Sequence, residues 1–120
     1  MKDFRDLKVW ERSHHLTLDV HKATVGFPRE ELYGLTSQIR RCGVSIAANL
    51  AEGCGKRGNT EFQRYLQIAA GSASELAYHL LLSRDLGFLS SIEHDTLSKQ
   101  LGELRRMLTS LILKVDWERR

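Results

Sequence analysis

The last third of the chain carries an apolar residue at alternating steps of four and three positions. An average step of 3.5 residues marks one face of an α-helix that packs against partner helices. Ser90 and Glu93 stand before this repeat with the spacing of a capping box, which indicates where the helix begins. We therefore predict a helix over about 91–118 that needs other helices to cover its apolar face. The repeat consists of Leu97, Leu101, Leu104, Leu108, Leu111 and Val115.

Earlier in the chain three segments also have helical spacing, and we predict helices over about 6–25, 29–54 and 60–86. In the second segment Pro28 opens a first turn that Gly34 is expected to interrupt, and the main helix is predicted from about Thr36 to Cys54. Asn59 is expected to cap the third of them at its N-terminus, and Gly87 is expected to end it. Each segment has one apolar stripe, and the stripes are Val9, Ser13, Leu16, Val20 and Ala23; Leu35, Ile39, Cys42, Ile46, Leu50 and Gly53; and Phe62, Leu66, Ala69, Ala73, Leu76 and Leu80.

No stretch of useful length alternates with a period of two, and the predicted connections are only a few residues long. Short connections make neighbouring helices antiparallel. The chain of 120 residues is therefore predicted to be all-α: an antiparallel up-down-up-down four-helix bundle in a single domain, 1–120. The middle helices are rich in glycine and alanine, around Gly43 and Gly71, and we expect them to pack closely on each other.

The composition excludes several classes of protein. No run approaches the 18 or so apolar residues of a membrane span, and the charged N-terminus does not resemble a secretion signal, so a cytoplasmic location is predicted. The two cysteines, Cys42 and Cys54, stand twelve positions apart and belong to no CxxC pair. We therefore expect reduced thiols, no metal and no cofactor.

Gly53, Gly55 and Gly58 have the spacing of a dinucleotide-binding fingerprint. That motif needs a strand before it and a helix after it, whereas here a predicted helix precedes it. We interpret the glycines as a bend between two helices.

A cluster of basic residues flanks this bend. Between positions 40 and 64 five cations stand against two acids, so the segment carries +3, equal to the net charge of the whole chain. Arginines and lysines at the start of a helix bind phosphates without reading sequence, which makes this cluster a candidate nucleic-acid surface. The alternative is a solvated surface held by ion pairs. The candidate residues are Arg40, Arg41, Lys56, Arg57 and Arg64.

Several apolar residues lie away from the stripes of the first and third helices, and we interpret them as an interface between copies of the chain. A wide apolar stripe within one subunit is the alternative. They are Trp10, Leu18, Ile68, Tyr78, Leu82 and Leu86. A second set lies near the helix contacts and is expected to form a buried polar network: Asn49, Glu52 and Glu75. Neither set has the pattern of a catalytic site, so we predict that the protein is not an enzyme.

Four stretches together resemble a known family: DLKVW, FPREELYGLTSQIRR, VSIAANLAEG and EFQRYLQIAAGSASEL. The resemblance, over about residues 4–89, is to four-helix-bundle proteins first described from intervening sequences of 23S rRNA genes. It implies a ring-like homopentamer without enzymatic activity, related to the accessory proteins of diversity-generating retroelements, which engage nucleic acid and a reverse transcriptase. Here Ala47 stands where the family often has proline.

These observations predict a non-enzymatic, homo-oligomeric scaffold or adaptor that contacts RNA or DNA through its basic surface. The alternative is an oligomer that binds a partner protein through the outward faces of its first and third helices and has no role with nucleic acid.

Overall fold

A computed structural model describes residues 3–119 of the chain and contains four long helices. Short 3-10 turns precede the first and second helices, at Phe4–Asp6 and Arg29–Glu31. The described residues include no strand and no helix long and apolar enough to cross a bilayer. The helices are α1 (Lys8–Thr24), α2 (Leu35–Cys54), α3 (Gly58–Asp85) and α4 (Ser91–Glu118).

Side-chain contacts between neighbouring helices show that they run antiparallel. Arg40, in the second turn of α2, bonds to Thr24 at the end of α1, with 2.9 Å between Nε and Oγ1. In the same way Gln63 near the start of α3 reaches Asp116 near the end of α4, at 2.8 Å.

The contacts between helices close a square, because α1 packs on α2 and α4, and α3 packs on the same two helices. This arrangement confirms the predicted all-α four-helix bundle.

The core fills the axis of the bundle and follows the predicted stripes. All six stripe residues of α2 and all six of α3 are buried, as are Leu97, Leu101, Leu104, Leu108 and Val115 of α4. Two details differ. Leu111 is only half-buried, and in α1 Thr24 rather than Ala23 completes the stripe. Thr24 can be buried because its hydroxyl donates to the carbonyl of Val20 at 2.9 Å.

The predicted signals at the two ends of the α3–α4 connection are confirmed. Ser90 and Glu93 form a capping box, in which each side chain bonds to the other residue's backbone N–H at 3.0 Å. Gly87 has a φ of 81°. The N–H groups of Gly87 and Phe88 donate to the carbonyls of Arg84 and Ser83, both at 2.9 Å, which is the Schellman ending of a helix.

The predicted interruption at Gly34 is correct, and the second helix begins at Leu35, close to the expected Thr36. Gly34 adopts a non-helical φ of −112° and ψ of −112°, and Arg29–Glu31 forms a separate turn instead of the first turn of this helix. The start of the third helix was predicted wrongly. Asn59 does not cap the third helix, which begins at Gly58 with Arg57 in the capping position. The Asn59 side chain instead lies 3.5 Å from a carboxylate oxygen of Glu118.

The middle helices do approach closely, but not at the predicted glycines, Gly43 and Gly71; the close contact lies at Gly53, and a Cβ at Gly71 would meet open space. Gly53 lies against α3, where a Cβ would come within 2.9 Å of the Cβ of Tyr65. Gly43 faces α1 instead, and the hydroxyl of Thr17 donates to its carbonyl at 3.1 Å. Along the rest of the α2–α3 seam Ser45 and Ser72 share a hydrogen bond of 2.8 Å.

Candidate functional surfaces

The five predicted basic residues do not form one surface. Arg40 and Arg41 lie near the start of α2, whereas Lys56 and Arg57 follow its end. Fifteen residues at 1.5 Å each separate Arg41 from Lys56 by about 22 Å along the helix axis. Nearness in the sequence therefore does not bring the two groups together.

Arg40 and Arg41 are engaged in contacts within the subunit. Besides its bond to Thr24, Arg40 approaches the carbonyl of His21 at 3.4 Å, so it helps to close the C-terminal end of α1. Arg41 bonds to Gln38 and lies 3.4 Å from a carboxylate oxygen of Glu75. The contacts of Arg40 with Thr24 and His21 are structural and leave Arg40 less available to a phosphate, whereas Arg41 remains 61% exposed.

Lys56 and Arg64 flank Tyr65 at the other end of the bundle, and Arg57 follows Lys56 in the same loop; we call these three basic residues the basic tip. The Lys56 Nζ lies 5.6 Å and the Arg64 Cζ 4.7 Å from the centre of the Tyr65 ring, both within cation–π range. Arg64 also donates to the Tyr65 hydroxyl at 3.3 Å. Arg57 makes no side-chain cap, so the free N–H groups of the first turn of α3 point to the same end.

Acidic side chains limit the positive charge of this end. Glu61 pairs with Arg64 at 3.4 Å. On the neighbouring α4, Asp116 accepts a bond from Gln63 and pairs with Arg119. Among the described residues these acids therefore reduce the positive charge around the basic tip.

Most of the predicted interface residues are exposed on the subunit. Leu18, Ile68, Tyr78 and Leu86 are 46%, 41%, 58% and 52% exposed, and Leu82 is half-buried. Trp10 differs, because its own subunit half-covers it between Phe4 and His14. The sequence reasoning missed other exposed apolar residues, including Val25, Val44, Ile92 and Leu113, although the same wheel analysis applied to α2 and α4 would have found the last three.

The predicted buried polar network is wrong for two of its three members. Asn49 is half-buried and donates to the carbonyl of Ser45 at 2.7 Å. Glu52 and Glu75 are both exposed. They lie on the outer edge of the α2–α3 seam, where a long acidic side chain reaches water instead of the core.

Glu75 belongs instead to a cluster that the sequence did not indicate. Its Oε2 lies 3.0 Å from the Nε2 of His79, one turn later on α3, and its carboxylate accepts a hydrogen bond from the thiol of Cys42 on α2. The ligand atoms of the three side chains all lie within 4.8 Å of one another. The Glu75–His79 spacing was visible in the sequence, but Cys42 stands 33 positions before Glu75, and only the fold brings it there.

The electrostatics of this cluster favour a protonated thiol beside a charged carboxylate. Burial raises the pKa of Cys42 to about 12, and the hydrogen bond to Glu75 acts in the same direction. Hydrogen bonds from His79 first, and then from Cys42, hold the pKa of Glu75 below its usual value. Because the thiolate is the reactive form of cysteine, Cys42 is not poised as a nucleophile at neutral pH.

The bundle, with its basic tip and its cluster of Cys42, Glu75 and His79, belongs to the class of small helical proteins. The described residues contain no recognisable catalytic constellation. A family model described as "23S rRNA-intervening sequence protein" matches residues 5–110, which is most of the chain. The chain belongs to the 23S rRNA intervening-sequence protein family.

A solved structure supports the same fold. It is the crystal structure of a protein with unknown function from the S23 ribosomal protein family of Bacteroides thetaiotaomicron, 24% identical in sequence, with a TM-score of 0.78. The alignment covers 87% of this chain and 97% of that one. At this identity the likeness shows the fold alone. A comparison with curated proteins finds no match.

Proposed function

We propose that the protein is a non-enzymatic scaffold that assembles from several copies of itself and contacts the backbone of RNA or DNA through the basic tip. The observation that carries self-assembly is the exposure of the off-stripe apolar side chains of α1 and α3, while α2 and α4 expose further apolar residues such as Val44 and Leu113. Leu18 lies on the outer side of α1, while Ile68 and Tyr78 lie on that of α3. The two helices are diagonal, because neither packs on the other.

Two different exposed positions favour a ring over a two-fold dimer: Leu18 on α1 (the α1 patch), and Ile68 with Tyr78 on α3 (the α3 patch). A two-fold dimer joins the same patch on both subunits and would leave the second patch in water. A head-to-tail contact of the α1 patch with the α3 patch covers both in every subunit once the ring closes. The ring-like pentamer implied by the family resemblance is an assembly of this kind.

The basic tip supports the second half of the proposal. It places Lys56, Arg57 and Arg64 beside the N-terminal end of α3, where backbone N–H groups add to the attraction for phosphate. Contacts of this kind bind the backbone without reading the bases. A ring repeats the tip once in each subunit, so several weak sites would act together on one nucleic acid.

The first prediction concerns the assembly. We expect the wild-type chain to sediment as an oligomer at tens of micromolar, and Leu18→Glu and Tyr78→Glu each to sediment as 13.7 kDa monomers. Both side chains are about half exposed in the subunit, so a carboxylate there leaves the fold intact but cannot be desolvated in an apolar contact. Analytical ultracentrifugation measures the result, and circular dichroism checks the helices.

Leu113→Glu is the matched control, because Leu113 is 62% exposed on α4, outside both patches. This variant should remain oligomeric. A wild-type chain that is monomeric at the same concentration would remove the proposed assembly, and so would dissociation caused equally by the control.

The second prediction concerns the basic tip. We expect Lys56→Glu combined with Arg57→Glu to weaken binding of a labelled RNA hairpin or DNA duplex at low salt without removing it. Losing two phosphate contacts should also lower the slope of log affinity against log salt by about 1.8 for a duplex. Fluorescence anisotropy between roughly 50 and 200 mM salt measures both quantities.

The control makes the same change of net charge at the opposite end of the bundle, by Lys22→Glu and Arg29→Glu. Both residues are exposed near the α1–α2 connection. Equal loss of binding in the two double variants would mean that only net charge matters, and an affinity that does not respond to salt would contradict backbone contact.

A second candidate function is an oligomer that binds only a partner protein. The acids around the tip favour this alternative, because Glu61, Asp116 and Glu118 reduce its attraction for phosphate. Capture of one defined protein by the wild-type chain that persists in the Lys56→Glu, Arg57→Glu variant, without retention of nucleic acid, would favour this reading over the first.

A further inference from the structure

We propose that Cys42, Glu75 and His79 form a binding site for one divalent transition-metal ion of the zinc class, and that the ion ties α2 to α3. This inference does not depend on nucleic-acid binding, because Cys42 precedes the α2–α3 loop by about three turns of α2. It does adjoin the proposed assembly surface, since the ring of His79 lies 5.9 Å from that of Tyr78. It departs from the expectation of the sequence, in which the spacing of the cysteines gave no reason for a metal site.

The donor set and its geometry suit such an ion. Thiolate, imidazole and carboxylate are the three ligand types that proteins use for Zn²⁺, and the thiolate selects against Mg²⁺ and Ca²⁺. Bonds of roughly 2.0–2.3 Å in a tetrahedral site place neighbouring ligand atoms about 3.3–3.8 Å apart. The three ligand atoms already lie within 4.8 Å of one another, so rotation of the side chains closes the site without moving a helix.

Rigid elements hold the three donors. Cys42 is buried in the α2 stripe, and Glu75 and His79 lie one turn apart on the same face of α3. The Glu75 side chain is 44% exposed and borders the solvent, so water can supply the fourth ligand. A site with three protein ligands and one open position is a familiar arrangement for zinc.

His79 offers its Nε2 to the ion. This atom lies 3.0 Å from the Oε2 of Glu75, on a ring that is largely buried. An imidazole nitrogen is the commonest metal donor in proteins. The other ring nitrogen, Nδ1, is buried without a hydrogen-bond partner among the described residues, so this ring lacks the orienting bond that many metal-binding histidines have.

Two features must change before the ion can bind: the ion pair between Arg41 and Glu75, and the protonation of the Cys42 thiol. Arg41 pairs with Glu75 at 3.4 Å, but its side chain is 61% exposed and can turn into water. The Cys42 thiol must lose its proton, which passes to solvent as the metal–sulfur bond replaces the S–H bond. This cost makes the site weaker than one built on an exposed thiolate, so binding is expected in the micromolar range.

The test uses the full chain without an affinity tag, titrated with Co²⁺. We expect saturation at one ion per chain, with the near-ultraviolet charge-transfer absorption of a thiolate–cobalt bond, and displacement of that absorption by Zn²⁺. Cys42→Ser should remove the absorption, and Glu75→Gln and His79→Gln should each weaken binding roughly tenfold or more. The wild-type melting temperature should rise with Zn²⁺.

Cys54→Ser is the matched control, since Cys54 is the second cysteine, is also buried on α2 and forms no disulfide. It should keep the absorption and the affinity. If Cys42→Ser does not fold, the cobalt affinities of Glu75→Gln and His79→Gln test the site instead. Glu75 is exposed and can be replaced without disturbing the core. Absence of the absorption in the wild-type chain at 100-fold excess of Co²⁺, or unchanged affinity in both Gln variants, would overturn the proposal.

Discussion

Leu104→Ala is expected to destabilise the fold by about 2–5 kcal/mol. Leu104 is fully buried in the middle of the α4 repeat, with 0% of its surface exposed. Alanine removes the apolar contacts of the leucine and leaves a cavity that rigid neighbouring helices fill only in part. Because a small domain is stable by only about 5–15 kcal/mol, this is a large fraction of the total. Urea unfolding at a fixed protein concentration measures the change.

Leu113→Ala is the control on the same helix. It makes the same chemical change with the same gain in helix propensity, but Leu113 is 62% exposed. Its effect on the subunit should lie within about 0.5 kcal/mol of zero. Similar losses in the two variants would mean that the repeat does not face the core as the structure places it.

The sequence was sufficient for the fold because the relevant signals are local. The spacing of Leu97, Leu101 and Leu104 shows one helix face, and no distant residue is needed to interpret it. The same holds for the capping box at Ser90, whose two hydrogen bonds join residues three positions apart. Four such segments with short connections leave few alternatives to an antiparallel bundle.

The candidate sites could be predicted only in part, because they depend on register between helices. Arg41 and Lys56 are close in the sequence, but most of α2 lies between them and separates them by about 22 Å along its axis. Conversely, Cys42 meets Glu75 and His79 only because α2 and α3 are aligned in one particular register. A wheel diagram gives the angle of a side chain around its own helix, and it contains no information on which residue of the neighbouring helix lies opposite.

The solvent exposure of a side chain was predicted less well than its angle around its own helix, because exposure also depends on neighbouring segments. Glu52 and Glu75 lie at the edge of the α2–α3 contact, where the direction of a flexible side chain decides between core and solvent. Trp10 lies off its stripe as predicted, yet the turn at Phe4–Asp6 folds back on it, with the rings of Phe4 and Trp10 4.8 Å apart. Contacts with an irregular segment have no periodic signal.

Gly53→Ala is expected to destabilise the fold by roughly 1–3 kcal/mol, although alanine is the better helix former. A Cβ at this position would lie 2.9 Å from the Cβ of Tyr65 and 3.1 Å from the Cδ1 of Phe62. The Cβ of Tyr65 is fixed to the α3 backbone, so the two helices must separate. The gain in helix propensity is reduced because Gly53 is the second-last residue of α2.

Gly71→Ala is the control with the opposite sign. Gly71 lies in the middle of α3, is exposed, and has open space where a Cβ would point. Alanine there should stabilise the chain by about 0.5–1 kcal/mol through helix propensity alone. Thermal unfolding of the two variants at equal concentration therefore distinguishes the steric cost of a Cβ at position 53 from the gain in helix propensity. A stabilised Gly53→Ala variant would contradict the close α2–α3 contact.

Because Tyr65 also contacts Lys56 and Arg64, Gly53→Ala should displace the basic tip and weaken its binding to nucleic acid.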